Sequence, residues 1–287
     1  MNLIILAIIS ILLPIITLAK EEIPSSPTVI YGEDNRKEIY TLNPILQKLA
    51  LSTFIITQKK RVIKQPNGHI LSYLHYGRAF KLCLDERFYD QLSSGFCSGF
   101  LIGGDLAVTA GHCISENTCN FVNLVFDYQL SAEGNLPSVF SQDKIYSCKE
   151  VLFSEKTELQ DYTIFRLDRN TNRAGLTLSQ NHSGPSDLVS LLGYPSGLPA
   201  KYSDGGIVRH SGQATFKASL DSYGGSSGSP VFDTITNEVV GILTGGEDDF
   251  ISLPDRQCFI SNRCAQDSCS GEDVTHISYV RHFLNHL

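Results

Sequence analysis

No cluster of Lys or Arg marks this chain of 287 residues as a nucleic-acid binder. Its formal charge of −7 is spread along the sequence and says little beyond solubility. No internal repeat is visible, so the length points to one two-part unit or two small domains. Beyond residue 19 no apolar run is long enough to cross a membrane. The cluster Cys258, Cys264 and Cys269 lacks the C-x-x-C spacing of a zinc site and has only the distant His276 to complete it.

What is present begins with Met1 to Ala19, almost wholly apolar and broken only by Asn2, Ser10, Pro14 and Thr17. Thr17-Leu18-Ala19 offers a small-residue cleavage site, so 1–19 reads as a secretory signal peptide, although no Lys or Arg precedes the run. An uncleaved anchor is the alternative; Pro14 and the limited length count against it. Polar Lys20–Thr28 reads as a linker or short pro-segment, and Val29-Ile30-Tyr31-Gly32 as the start of the mature chain, 29–287. Eight cysteines in an exported chain favour disulfides, and the even number permits complete pairing.

Short apolar runs fall into two sets. The first is Phe100–Ile102, Leu106–Val108, Phe121–Phe126 and Thr163–Leu167; the second is Leu188–Leu192, Ala214–Ala218, Pro230–Phe232 and Val239–Leu243. Gly, Asn, Asp and Pro turns separate them, which predicts an all-β sandwich or pair of barrels divided near the polar stretch 169–186. Residues 41–57 carry apolar positions near helical spacing, with Ile, Thr and Pro against it. Val274, Ile277, Val280, Phe283, Leu284 and Leu287 predict an amphipathic C-terminal helix docked on the second half.

Three segments carry chemistry. In Gly224-Gly225-Ser226-Ser227-Gly228-Ser229-Pro230-Val231-Phe232 a serine sits among glycines ahead of an apolar strand, which suits a nucleophile on a tight turn. A neutral hydroxyl needs a base, and Thr109-Ala110-Gly111-His112-Cys113 supplies His112. Asp161 heads the apolar strand that follows Leu159-Gln160; Asp127 and Asp143 are its rivals, and each reads equally as a solvated loop acid. Read literally, G-x-S-x-G at Gly224–Gly228 centres on Ser226 and would suit an α/β-hydrolase, with Asp248 and His276 downstream. That fold leaves the His112 segment unexplained and needs a helix where Ser229-Pro230-Val231-Phe232 reads as a strand.

Together, Phe96–Ile102, Thr109–Cys113, Asp161–Ile164 and Gly225–Pro230, in the order His, Asp, Ser, resemble the trypsin/chymotrypsin family. Asp221–Pro230, Val29-Ile30 and Asp34–Arg36 look like its bacterial branch that includes glutamyl endopeptidases. The resemblance covers roughly residues 95–245 and implies two six-stranded antiparallel β-barrels with a C-terminal helix. It implies Ser227 as nucleophile, His112 as general base and acid, and Asp161 as the carboxylate orienting the imidazole. It further implies an oxyanion hole from the N–H groups of Gly225 and Ser227, and a bridge between Cys97 and Cys113. Asp221 takes the position of the primary pocket's floor, and Thr244-Gly245-Gly246 that of its wall.

Two positions depart from the family. Ser226 stands where trypsin has Asp, so activation by a buried amine–carboxylate pair is not expected. Leu243 stands where glutamyl endopeptidases have His, so cleavage after Arg or Lys, through Asp221, is expected rather than after Glu. The resemblance therefore implies a secreted, monomeric serine endopeptidase acting on proteins or peptides, extracellular or periplasmic, with no cofactor and no metal. The reading from another class is an inactive homologue that only binds.

Overall fold

The computed structural model describes residues 29–287, so the expected signal peptide and linker lie outside the described residues. Runs rich in Val, Ile, Phe and Thr become the strands of two barrels. The first barrel is built from Thr53–Gln58 (β1), Cys97–Gly103 (β2), Leu106–Thr109 (β3), Val122–Phe126 (β4), Ile145–Lys156 (β5) and Asp161–Leu167 (β6). β1 pairs with both β2 and β4, which closes an antiparallel ring in the order β1-β4-β5-β6-β3-β2. Phe54, Phe126 and Phe165 fill it, with Phe54 edge-on to Phe126 at 5.1 Å between ring centres.

The second barrel uses Leu188–Gly193 (β7), Lys201–Ser211 (β8), Thr215–Ala218 (β9), Pro230–Asp233 (β10), Val239–Gly245 (β11) and Glu272–His276 (β12). β7 pairs with both β8 and β10, closing the ring β7-β10-β11-β12-β9-β8. The order repeats that of the first barrel, each strand replaced by the one six places later, although no sequence repeat announces it. Val189, Leu191, Phe216, Val231 and Val274 are among the residues that fill it. The short strand Lys37–Glu38 adds to β8 from outside the ring. The expected two six-stranded barrels are thus present.

Residues 41–57 divide. Asn43 caps a helix over Pro44–Ala50, its side chain accepting from the N–H groups of Ile45 and Leu46. The β-branched Thr53, Ile55, Ile56 and Thr57 then take the chain into β1. At the C-terminus the helix spans only Ser278–Leu284. Val274, expected as its first apolar position, lies in β12, where a period of two governs burial. The helix also does not rest on the second barrel alone. Ile277 N–H donates to Val240 O there, while Phe283 packs on Phe153 at 5.5 Å and Tyr279 on Tyr162 at 6.1 Å in the first barrel. It bridges the two.

The eight cysteines pair as Cys83–Cys258, Cys97–Cys113, Cys119–Cys148 and Cys264–Cys269, which leaves no thiolate for zinc. Cys83–Cys258 ties the long connection between β1 and β2 of the first barrel to the hairpin Phe250–Leu253/Cys258–Ser261. Among the described residues no helix is long and apolar enough to cross a membrane. Cys97–Cys113 closes a sequence separation of 16, for which chain entropy gives about 3 kcal/mol. Replacing both residues by Ala is expected to lower the unfolding free energy by about that amount in urea titration. Peptide mapping that finds either thiol free in the oxidised protein overturns the assignment.

Candidate active site

The site is assembled where the barrels meet. His112 follows β3, Asp161 opens β6 and Ser227 lies three residues ahead of β10. Gly111 lets the His112 turn come down on β5 and β6: a Cβ there would lie 1.9 Å from Glu155 O and 2.8 Å from Asp161 Oδ1. Asp161 then holds the next residue twice. Its Oδ1 accepts the His112 main-chain N–H at 2.9 Å, and its Oδ2 meets His112 Nδ1 at 2.6 Å. Both side chains are mostly covered, 17 % and 19 % exposed, so the pair is protected from water but reachable. Asp127, a rival acid, is spent on Arg173 at 2.7 Å, and Asp143 is exposed in the single 3₁₀ turn Gln142–Lys144.

The turn that carries Ser227 comes up against the His112 turn because the glycine after the serine has no side chain. Gly228 adopts φ +87°, and a Cβ there would lie 2.2 Å from both Ser98 O and Thr109 Oγ1. The serine turn therefore lies against Thr109-Ala110, at the base of the His112 turn. Ser98 N–H donates to Ser227 O at 2.8 Å, and Ser98 Oγ to Gly225 O at 2.8 Å. The disulfide from Cys97 to Cys113 fastens the same strand to the residue after His112.

The main-chain donors of this turn divide into used and unused. Ser226 N–H goes to Tyr223 O, Gly228 N–H to Leu243 O and Ser229 N–H to Ser226 O. Gly224 N–H goes to both oxygens of Asp249, at 3.1 and 3.0 Å. Among the described residues the N–H groups of Gly225 and Ser227 donate to no protein acceptor. Two unused N–H groups, that of Ser227 itself and that of Gly225 two residues before it, can receive a developing negative oxygen. Ser226 is wholly buried, and among the described residues its hydroxyl has no hydrogen-bond partner. Ser226 is thus closed to substrate, and the all-β architecture removes the α/β-hydrolase reading.

The other expected positions separate. Thr244 and Gly245 line a cleft of about 190 Å³ together with Asp161, Gln160, Thr215, Asp273 and Thr275. Asp221 is only 3 % exposed and looks the other way. Its Oδ1 accepts Tyr31 N–H at 2.8 Å and its Oδ2 accepts Asn35 N–H at 3.0 Å. The N-terminal segment is held here by more than this. Ile30 and Tyr31 pair in parallel with Arg263 and Cys264, and Arg36 is buried in a two-pronged pair with Asp34. The Arg36 guanidinium lies 4.0 Å from the centre of the Tyr223 ring, two residues beyond Asp221. The resemblance marks Asp34–Arg36 as part of the start of the mature chain, but its role as a clamp on Asp221 and Tyr223 went unread, because those partners lie nearly 190 residues away.

Burial pushes the Asp221 carboxyl up to about 6 against the opposing hydrogen bonds from Asn35 and Tyr31. A carboxyl with a raised folded pKa favours the folded chain most below its unfolded value of 3.8. That contribution is lost as pH rises from about 4 through about 6. Relative to Asp221→Asn, which does not titrate, the wild type should lose about 3 kcal/mol over this window. Urea unfolding of both proteins at pH 4 and pH 7 checks this; a pH-independent difference refutes it.

The sequence profile of the trypsin-like peptidase domain matches residues 97–242, more than half of the chain. The chain belongs to the trypsin-like peptidase family. No curated protein matches it in sequence. Among solved structures, a Glu endopeptidase in complex with MPD superposes with a TM-score of 0.53 at 12 % identity, over 90 % of this chain and 98 % of that one. The VesB protease of Vibrio cholerae gives 0.51 at 13 % identity, over 88 % of this chain and 66 % of that one. At such identities the likeness is one of fold. In this fold the His112–Asp161 pair of the first barrel and the Ser227 turn of the second lie side by side where the barrels meet.

Proposed function

We propose that this peptidase is a secreted serine endopeptidase working through an acyl-enzyme, with Ser227, His112 and Asp161 as its triad. The observation that carries the reading is the double hold of Asp161 on His112 beside a serine turn in which the N–H groups of Gly225 and Ser227 are unused. With Nδ1–H given to Asp161, the bare Nε2 of His112 faces away from the carboxylate as the base.

Ser227 Oγ forms a bond to the scissile carbonyl carbon while its proton passes to His112. The carbonyl oxygen takes up the electron pair and is held by the N–H groups of Gly225 and Ser227. When the C–N bond breaks, His112 returns the proton to the leaving amine. Water, deprotonated by the same histidine, then releases the acid and restores Ser227. The substrates are proteins or peptides, and no cofactor takes part. Four disulfides support an extracellular or periplasmic site of action.

A fluorophosphonate probe followed by peptide mapping tests the reading. Labelling at Ser227, abolished in His112→Ala, is the expected result. A folded protein that does not react is a binding module instead.

A further inference from the structure

Gly225 N–H, the first of the two unused donors, belongs to a peptide bond with a glycine on each side. That bond, Gly224–Gly225, is the least restrained in the serine turn, because neither flanking residue carries a Cβ. Gly225 sits at φ +98°, and a Cβ on it would crowd Tyr194 O at 3.0 Å and Ser196 N at 3.2 Å. In a trans peptide the N–H and the C=O point in opposite directions. Turning this one peptide over would aim Gly224 O at the substrate oxygen and withdraw the donor. Nothing local in the sequence prevents that turn.

Contacts from distant segments prevent it instead. Ser196 N–H donates to Gly224 O at 2.6 Å, the bond that a turned peptide would lose. Ser196 is itself left-handed at φ +51°, a conformation that a residue with a Cβ keeps only when its surroundings fix it. Its own hydroxyl does not do so: it is buried and, among the described residues, has no partner. The fixing comes from the connection between β1 and β2. Ser93 Oγ donates to Ser196 O at 2.6 Å, and Ser94 N–H donates to Gly197 O at 2.7 Å. The other main-chain group of Gly224 is pinned from the second barrel, its N–H donating to both oxygens of Asp249. Bonds to a carboxylate are the stronger kind. Asp249 is anchored in turn, because its carbonyl accepts Asn262 N–H at 2.8 Å across the base of the hairpin that Cys258 ties to Cys83.

We propose that Ser93 and Asp249 are positioning residues for the oxyanion donor Gly225 N–H. Asp249 fixes the N–H of Gly224, and Ser93, through the Ser196 turn, fixes its C=O. With both groups held, the Gly224–Gly225 peptide keeps its donor turned toward the developing negative oxygen. This rests on the peptidase reading above and adds two residues that act through main chain, 131 and 25 positions from Gly224 in sequence. Each barrel contributes one of them, so the donor is aimed only when the two are docked.

The test compares wild type, Ser93→Ala, Asp249→Ala and Asp249→Asn on the peptide amide that wild type cuts best in a library. Active sites are counted by end-point labelling with a fluorophosphonate, so that misfolded molecules drop out. Two ligands of that same peptide sequence are measured beside turnover. The boronic acid forms a tetrahedral adduct with an oxygen at the donors, and the peptide alcohol binds without one. Asp249→Ala should lower kcat by about 100-fold, the cost of one lost oxyanion donor, and Ser93→Ala by about 10-fold. Boronate affinity should fall in step, while KM and the affinity for the alcohol stay within about twofold. Asp249→Asn keeps an oxygen for Gly224 N–H and should stay within about threefold of wild type. The proposal is overturned if Ser93→Ala and Asp249→Ala keep the wild-type kcat. It is equally overturned if boronate and alcohol affinities fall together, or if Asp249→Asn loses as much as Asp249→Ala. Should Asp249→Ala not fold, Ser93→Ala decides alone by the same readouts. Wild type that neither cuts the library nor reacts with the fluorophosphonate fails the peptidase reading itself, a result distinct from cleavage that the variants leave unchanged.

Discussion

Ser227→Ala is expected to lower peptide turnover by roughly 10⁴-fold or more while the thermal midpoint stays within a few degrees of wild type. His112→Ala should do the same, and the double variant should cost little beyond either single one, because the two act in one proton transfer. Asp161→Asn is the more instructive change. Asp161 Oδ1 would still accept the His112 main-chain N–H, but an amide at the other position donates to Nδ1. The ring proton then moves to Nε2, the nitrogen needed as base, and activity falls on the order of 10⁴-fold with the geometry intact. Burst kinetics with an ester substrate separates acylation from deacylation in each variant. Near-native proteolysis by Ser227→Ala ends the triad reading.

Asp34→Ala is expected to cost roughly 3–5 kcal/mol, because it strands a buried guanidinium. Arg36 and Asp34 side chains are 1 % and 3 % exposed, and they meet at 2.6 Å. The pair holds the Asp34 carboxyl below its ordinary range: Arg36 and Arg87 outweigh a large opposing effect of burial. Removing Asp34 leaves Arg36 with the face of Tyr223 and no carboxylate of its own. Adding Arg36→Met removes the orphaned charge and should recover more than half of the loss, as judged by urea midpoints. Activity should fall in the single variant beyond what unfolding explains, because Tyr223 O accepts the Ser226 N–H that shapes the serine turn. A cost below 1 kcal/mol would show that the clamp carries little.

How far the sequence speaks depends on whether the determining forces are local. The glycines around Ser227, the small residues ahead of His112 and the acid heading β6 are turn and strand signals, so those residues stand out in the chain itself. The two barrels follow from alternation and turn chemistry, and the bridge at Cys97 from the resemblance. What escaped is set by partners far apart in sequence. Asp221 and Asn35 are 186 residues apart, and Glu272 and Ser222 are 50 apart. A glutamate at the head of a strand is ordinarily solvated, and only the closed second barrel buries this one. The C-terminal helix began late for a related reason. Val274, Ile277 and Val280 satisfy a helical period by coincidence, while the place of β12 between β9 and β11 fixes Val274 as strand.

The last strand has a consequence for when the molecule becomes dangerous. β12 closes the second ring between β9 and β11, carries Glu272, and places Thr275 Oγ1 3.4 Å from Asp161 N in the first barrel. A chain released from the ribosome N-terminus first can complete its first barrel, with His112 and Asp161 in hand, while Ser227 still lacks a framework. The second ring closes only once residues 272–276 have paired with β9 and β11. On the serine endopeptidase reading, a chain cut before Glu272 is expected to be inactive even though His112, Asp161 and Ser227 are all present.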